Sequence, residues 1–139
     1  YNKDWGFEKY QSVANVLRSH RMNLTQFTHG NEPMLAGVKA VKTRDFRDAI
    51  SVMSQAWLYI GPEGGLHHSA AAVGIPAIVL FGGFIPPSVT GYDSHTNLTG
   101  GADACGSLNK CDHCRAAMAA ISVDEVIAGA RKHLGTRMT

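Results

Sequence analysis

One short run constrains this chain more than any other. Pro76 is followed by Ala77-Ile78-Val79-Leu80-Phe81, with no polar residue among them. A strand with one face in water alternates apolar and polar side chains. An unbroken apolar run fits a strand buried on both faces, as in a parallel sheet covered by helices on each side. The residues before it fit that frame. Trp57-Leu58-Tyr59-Ile60 is β-prone and stops at Gly61-Pro62-Glu63-Gly64-Gly65, and a short helix over 66–73 ends at Gly74, a natural C′ glycine. Strand, glycine turn, helix, strand is a βαβ unit.

The remaining pattern extends this unit. Phe7, Tyr10, Val13, Ala14 and Leu17 recur at three- and four-residue spacing and predict a helix over 7–20. Short strands are expected over 23–28 and 37–42, separated by the turn cluster His29-Gly30-Asn31-Glu32-Pro33. Thr43 is expected to cap a helix reaching about Ala56, and Ser122 to cap a last helix over 123–134. The stretch 82–114 reads as loop. The expected fold is α/β, a Rossmann-like parallel sheet with flanking helices.

Composition removes several classes. At 139 residues the chain is one domain or a large piece of one. With 45% hydrophobic and 17% charged residues it is not a disordered segment. No apolar run reaches the roughly 18 residues of a membrane span. A net charge of +2 is too small to argue for nucleic acid. The chain opens on Tyr1, in the middle of a structural unit, so a fragment of a longer protein is expected.

In an open parallel sheet, ligands sit at the carboxyl ends of the strands. The sharpest such end is Gly61-Pro62-Glu63-Gly64-Gly65-Leu66-His67-His68-Ser69. Glycines bring the backbone close to a ligand, and a helix start offers free N–H groups and the positive end of a dipole, a combination suited to phosphate. His68 lies in the first helical turn, and Glu63 is placed to accept from a sugar hydroxyl. The glycine spacing is neither a dinucleotide fingerprint nor a P-loop, and Ser69 lacks a nucleophile-elbow frame. The other ends are Phe81-Gly82-Gly83, read as a second close backbone approach, and the 28–32 segment, where Glu32 could hold a ribose diol.

These residues resemble glycosyltransferase family nine, the lipopolysaccharide heptosyltransferases, in its C-terminal half. The likeness rests on Lys3-Asp4-Trp5 before a helix. It also rests on Glu63-Gly64-Gly65-Leu66-His67-His68-Ser69-Ala70-Ala71-Ala72-Val73-Gly74-Ile75-Pro76 with Leu80-Phe81-Gly82, and on Gly91-Tyr92. The resemblance implies the donor-binding half of a two-domain GT-B enzyme, with the acceptor domain and the catalytic base in an absent N-terminal half. Residues 1–139 would be the nucleotide-sugar-binding domain. Carried over by position, Lys3 would contact the donor phosphates, and Gly64, Gly65 and Leu66 would offer N–H groups, with His68 beside them. Glu32 would hold the ribose, and Thr43 and Arg44 would lie near the base. Transfer of a sugar, heptose or similar, to a glycan, lipid-linked or protein acceptor is implied, in the cytoplasm or at the inner face of a bacterial membrane. No cofactor is implied for transfer. Two departures stand out. Glu63 replaces the family's usual aspartate, and Gly83-Phe84-Ile85-Pro86-Pro87 replaces a hydroxyl- and carboxylate-bearing segment, which puts heptose itself in doubt.

Cys105, Cys111 and Cys114 form a compact group. They are expected either to hold structural zinc or iron, with His113 or His95 as fourth ligand, or to form a disulfide or remain thiols. A redox motif is disfavoured because the C-x-x-C does not open a helix in a thioredoxin-like βαβ context. The cluster is expected to pin the long loop, away from the nucleotide crevice. Two other functions remain open: a non-catalytic nucleotide-binding module, and a small metal-stabilised interaction domain.

Overall fold

A computed structural model describes residues 2–28 and 31–138. His29 and Gly30 of the expected turn cluster lie outside the described residues. In chain order the elements are α1 (Phe7–Ser19), β1 (Thr25–Thr28), β2 (Lys39–Lys42), α2 (Phe46–Met53), β3 (Tyr59–Pro62), α3 (Gly65–Ala72), β4 (Ala77–Leu80), α4 (Pro87–Thr90), β5 (Thr96–Leu98), α5 (Asp112–Ala120) and α6 (Val123–Leu134), followed by a 3₁₀ turn at Gly135–Arg137. Every strand pairing is parallel, as the apolar run requires. The described strands form two ladders rather than the single sheet expected: β1 with β2, and β3–β4–β5 with β4 at the centre.

β4 divides the core. Ala77, Val79 and Phe81 face one way and pack with Met53 and Ala70, beneath α2 and α3. Ile78 and Leu80 face the other way, into a larger cluster with Val13, Leu17, Met118, Ile121, Val126 and Ala130 from α1, α5 and α6. All five residues from Ala77 to Phe81 are essentially inaccessible to water. The result is three layers, helices on both faces of a parallel sheet. Trp5 anchors the chain ahead of α1 in the larger cluster, its indole Nε1–H donating to the Ile121 carbonyl at 2.8 Å.

Local signals behave as expected at Ser122, which accepts from Glu125 N–H at 3.0 Å. Gly74 follows α3 with φ 77°. Thr43 is not the cap of α2. Asp45 takes that role, its carboxylate accepting from Asp48 N–H, and Thr43 is buried with its N–H donated to the Thr28 carbonyl. The segment read as loop contains α4, β5 and the start of α5. Gly82 and Gly83 do make a close approach, but to α5: a Cβ at Gly82 would meet Met118 Sδ at 2.7 Å, and one at Gly83 would meet the His113 ring at 2.9 Å.

Burial at two histidines, His95 and the half-buried His133, makes stability depend on pH. His95 is 7% exposed, with neither ring nitrogen paired among the described residues. Burial pushes its pKa down, and the nearby Ile75 backbone, beyond hydrogen-bond reach, only partly offsets this. Burial, with Lys132 nearby, also lowers His133. A depressed folded-state pKa means that the unfolded chain binds protons first. The stabilisation is therefore complete above the ordinary histidine value and is lost as pH falls through it. The urea midpoint should be lower at pH 5.5 than at pH 7.5, and His95→Leu should shrink that difference; a midpoint that rises on acidification contradicts the assignment.

Candidate functional site

The β3–α3 turn builds the site. Gly64 sits at φ 156°, ψ −165°, a backbone region almost confined to glycine, and turns the chain from β3 into the helix. Its N–H donates to His67 Nδ1 at 2.8 Å. The same imidazole bonds through Nε2 to the Thr90 carbonyl at 2.8 Å. An N–H donor at Nδ1 and a carbonyl at Nε2 leave one consistent state, a neutral ring with its proton on Nε2. His67 is wholly buried. It therefore acts as a clamp, tying the first turn of α3 to the end of α4.

This clamp changes the donor inventory. The Gly64 N–H is spent on His67, so Gly64 contributes turn geometry and not a donor to a ligand. Gly65, Leu66 and His67 keep N–H groups with no partner among the described residues, as the first turn of a helix does. A Cβ on Gly65 would lie 2.6 Å from Phe46 Cζ, so the start of α2 folds over the start of α3.

Lys3 arrives from ahead of α1. Its ammonium donates to Glu63 Oε2 at 2.6 Å and to the Glu63 carbonyl at 3.0 Å. Glu63 is nearly buried, its side chain 10% exposed, while that of Lys3 is 41% exposed. The expected sugar-hydroxyl contact of Glu63 thus competes with an ion pair. Lys3 has three N–H groups and spends two, so one remains for an anion beside the α3 terminus. Its ammonium also stands 5.5 Å from the centre of the Phe84 ring.

His68 is exposed, stacks on His67 with ring centres 4.0 Å apart, and pairs through Nδ1 with the Tyr92 hydroxyl at 2.7 Å. The other expected contacts lie at the carboxyl edge of the β1–β2 ladder. The Thr28 hydroxyl donates to the Glu32 carboxylate at 2.7 Å. The Arg44 guanidinium turns back onto Asp48 at 2.9 and 3.1 Å, and these bonds hold the Asp48 carboxyl down at about 2. Phe46, two residues after Arg44, lies against Gly65 at the start of α3.

Cys105 Sγ lies 3.1 Å from Cys114 Sγ and 3.7 Å from Cys111 Sγ, and all three are free thiols. Of the alternatives, the disulfide is not formed. The C-x-x-C does open a helix: Cys111 is the N-cap of α5 and Cys114 lies in its first turn. The Cys114 backbone N–H lowers the Cys111 thiol pKa, while burial raises that of Cys114 to about 12. Neither proposed fourth ligand is in place. His113 Nε2 bonds to the Asp103 carbonyl at 2.6 Å, and the His95 ring lies 5.2 Å from that of Tyr92. Nor is the cluster remote from the site. Asn2 accepts from Cys111 N–H at 2.9 Å and donates to the Asn109 carbonyl at 2.7 Å, one residue from Lys3.

The sequence pattern missed the clamp partners. Thr90 and Tyr92 lie in the stretch read as loop, and only Gly91-Tyr92 carried a signal, without a role. Phe46, at the start of α2, is 59% exposed.

The sequence model of glycosyltransferase family 9 (heptosyltransferase) matches residues 1–118. No curated protein and no solved structure matches the chain.

His67→Ala should cost about 2 kcal/mol or more in urea unfolding, because it removes a fully buried ring and leaves a part-buried N–H and a part-buried carbonyl without their partner. His68→Ala, which frees only exposed atoms, should move the midpoint far less. Equal losses from the two variants would contradict the clamp.

Proposed function

We propose, from the premise that the chain belongs to glycosyltransferase family 9, that it is the donor-binding domain of a two-domain enzyme of that family. A nucleoside diphosphate sugar binds with its diphosphate at the start of α3. One observation carries this reading: the unpaired N–H groups of Gly65, Leu66 and His67 converge beside Lys3 and His68. Such a terminus favours anions through its dipole and its free donors.

The chemistry follows from charge. When the sugar leaves its diphosphate, negative charge grows on the leaving phosphate. Donors fixed in advance stabilise that charge without reorganising. The helix terminus is such a donor set, with Lys3 and His68 as its side-chain members. The Glu63 carboxylate holds Lys3 in place before the ligand arrives. Glu32 at the end of β1 would take the ribose, and Thr43 and Arg44 at the end of β2 would border the base. The catalytic base and the acceptor site belong to the N-terminal half, so residues 1–139 alone bind donor without turnover. The acceptor is a glycan, lipid-linked or carried on protein, as in lipopolysaccharide assembly at the inner face of a bacterial membrane. No helix is long and apolar enough to cross a membrane among the described residues. The transferred sugar is heptose or a relative. The apolar Phe84-Ile85-Pro86-Pro87 segment disfavours a hydroxyl-reading pocket.

The three thiols fit a thiophilic cation. Their sulfurs lie within 4.8 Å of one another, and thiolates about 2.3 Å from a tetrahedral zinc stand about 3.8 Å apart. Cys105, Cys111 and Cys114 would hold zinc or iron as a structural ion, its fourth ligand coming from outside this set. Because Asn2 ties their loop to Lys3, Cys111→Ser should lower both melting temperature and nucleotide affinity. A variant that keeps both values, with and without added zinc, contradicts a structural ion.

A nucleoside diphosphate at a hundred times its Kd should stabilise the domain by about 2.7 kcal/mol. Lys3→Ala should weaken that binding about tenfold, the loss of one charge-assisted hydrogen bond. No melting shift with any nucleoside diphosphate at millimolar concentration overturns the reading.

A further inference from the structure

We infer that Tyr92 is a positioning residue for His68, holding Nδ1 so that Nε2–H is the ring donor offered to the diphosphate. The inference rests on the phosphate reading of the α3 terminus and adds a residue to it. The Tyr92 hydroxyl and His68 Nδ1 are 2.7 Å apart, and no other partner of either atom occurs among the described residues. With Nδ1 spent, Nε2 is the one ring nitrogen left for a ligand.

The hydroxyl suits this task because it both donates and accepts. With a neutral imidazole, Tyr92 O–H donates to Nδ1 and the ring proton resides on Nε2. With an imidazolium, Nδ1–H donates to the Tyr92 oxygen and Nε2 still carries its proton. His68 thus presents the same N–H in both charge states. A backbone carbonyl at Nδ1 would force the proton onto Nδ1 and leave a neutral ring with a lone pair facing the anion.

The surroundings hold Tyr92 in place. Its neighbour Thr90 is fixed through its carbonyl by His67, so α3 grips the 90–92 segment at two successive histidines. The Asn97 amide donates to the Tyr92 carbonyl at 3.1 Å. The titratable groups facing the pair are His67 and Glu63, whose polar atoms lie within 4.8 Å of those of His68, together with Lys3 on Glu63 and His95, 5.2 Å from the Tyr92 ring. Glu63 is held by Lys3 and His67 by its two backbone bonds, so Tyr92 is the only one of these bonded to the His68 ring.

Two readouts test this. The first is the ¹⁵N imidazole spectrum of His68 at pH 8.5, which separates the tautomers without any ligand. The wild-type protein should show the Nε2–H form, and Tyr92→Phe should shift the signals toward a mixture. A dominant Nδ1–H form in the wild type, or no change in Tyr92→Phe, overturns the inference. The second is a double-mutant cycle with inorganic pyrophosphate. Tyr92→Phe should weaken binding about three- to tenfold in the wild-type background, the worth of one hydrogen bond, and hardly at all in His68→Ala. Equal loss in both backgrounds overturns it. If pyrophosphate does not bind the wild-type protein, the phosphate reading fails, and the spectrum alone decides the role of Tyr92.

Discussion

The site depends on one buried, neutral imidazole. His67 takes the Gly64 N–H on one nitrogen and gives its proton to the Thr90 carbonyl from the other. Both bonds are made by a ring that is itself wholly buried, whose polar nitrogens would be costly to leave unpaired. They set the entry of the chain into α3 and hold the 90–92 segment against it. Through that segment they fix the neighbour of His68. The adjacent histidines divide the work: one is consumed by structure, which leaves the other at the surface.

The ion pair between Lys3 and Glu63 has a related logic. A lysine is flexible and loses side-chain entropy when a ligand must order it. Here a nearly buried carboxylate orders Lys3 beforehand, at the expense of sharing its charge. Glu63 thereby fixes the position of the ammonium. On the far side, Asn2 links the same segment to the cysteine loop, so the Lys3 segment and the thiol cluster are mechanically joined.

Much of the fold was legible because burial leaves strong patterns. The apolar run at β4 identified a strand covered on both sides, and the periodicity of α1 and the Ser122 cap of α6 marked helices that pack on it. The glycine turn before α3 marked where β3 gives way to a helix. What was hidden has physical reasons. β5 has three residues and α4 four, too short for any period to show. α5 begins at a cysteine cap with no side-chain hydrogen bond, so the usual start signal is missing. Asp45 outcompeted Thr43 as the cap of α2 because Thr43 extends the β2 pairing. The role of His67 depends on a carbonyl twenty-three residues away, which no local pattern reveals.

The central claim is that the first turn of α3 receives the phosphates through three backbone donors, with Gly64 withheld. Amide NMR during a pyrophosphate titration addresses it directly. The N–H resonances of Gly65, Leu66 and His67 should move downfield together as phosphate oxygens accept from them, while Gly64, bonded to His67, should stay nearly fixed. A large shift at Gly64, or shifts confined to the β1–β2 edge with the α3 amides unmoved, would contradict the account.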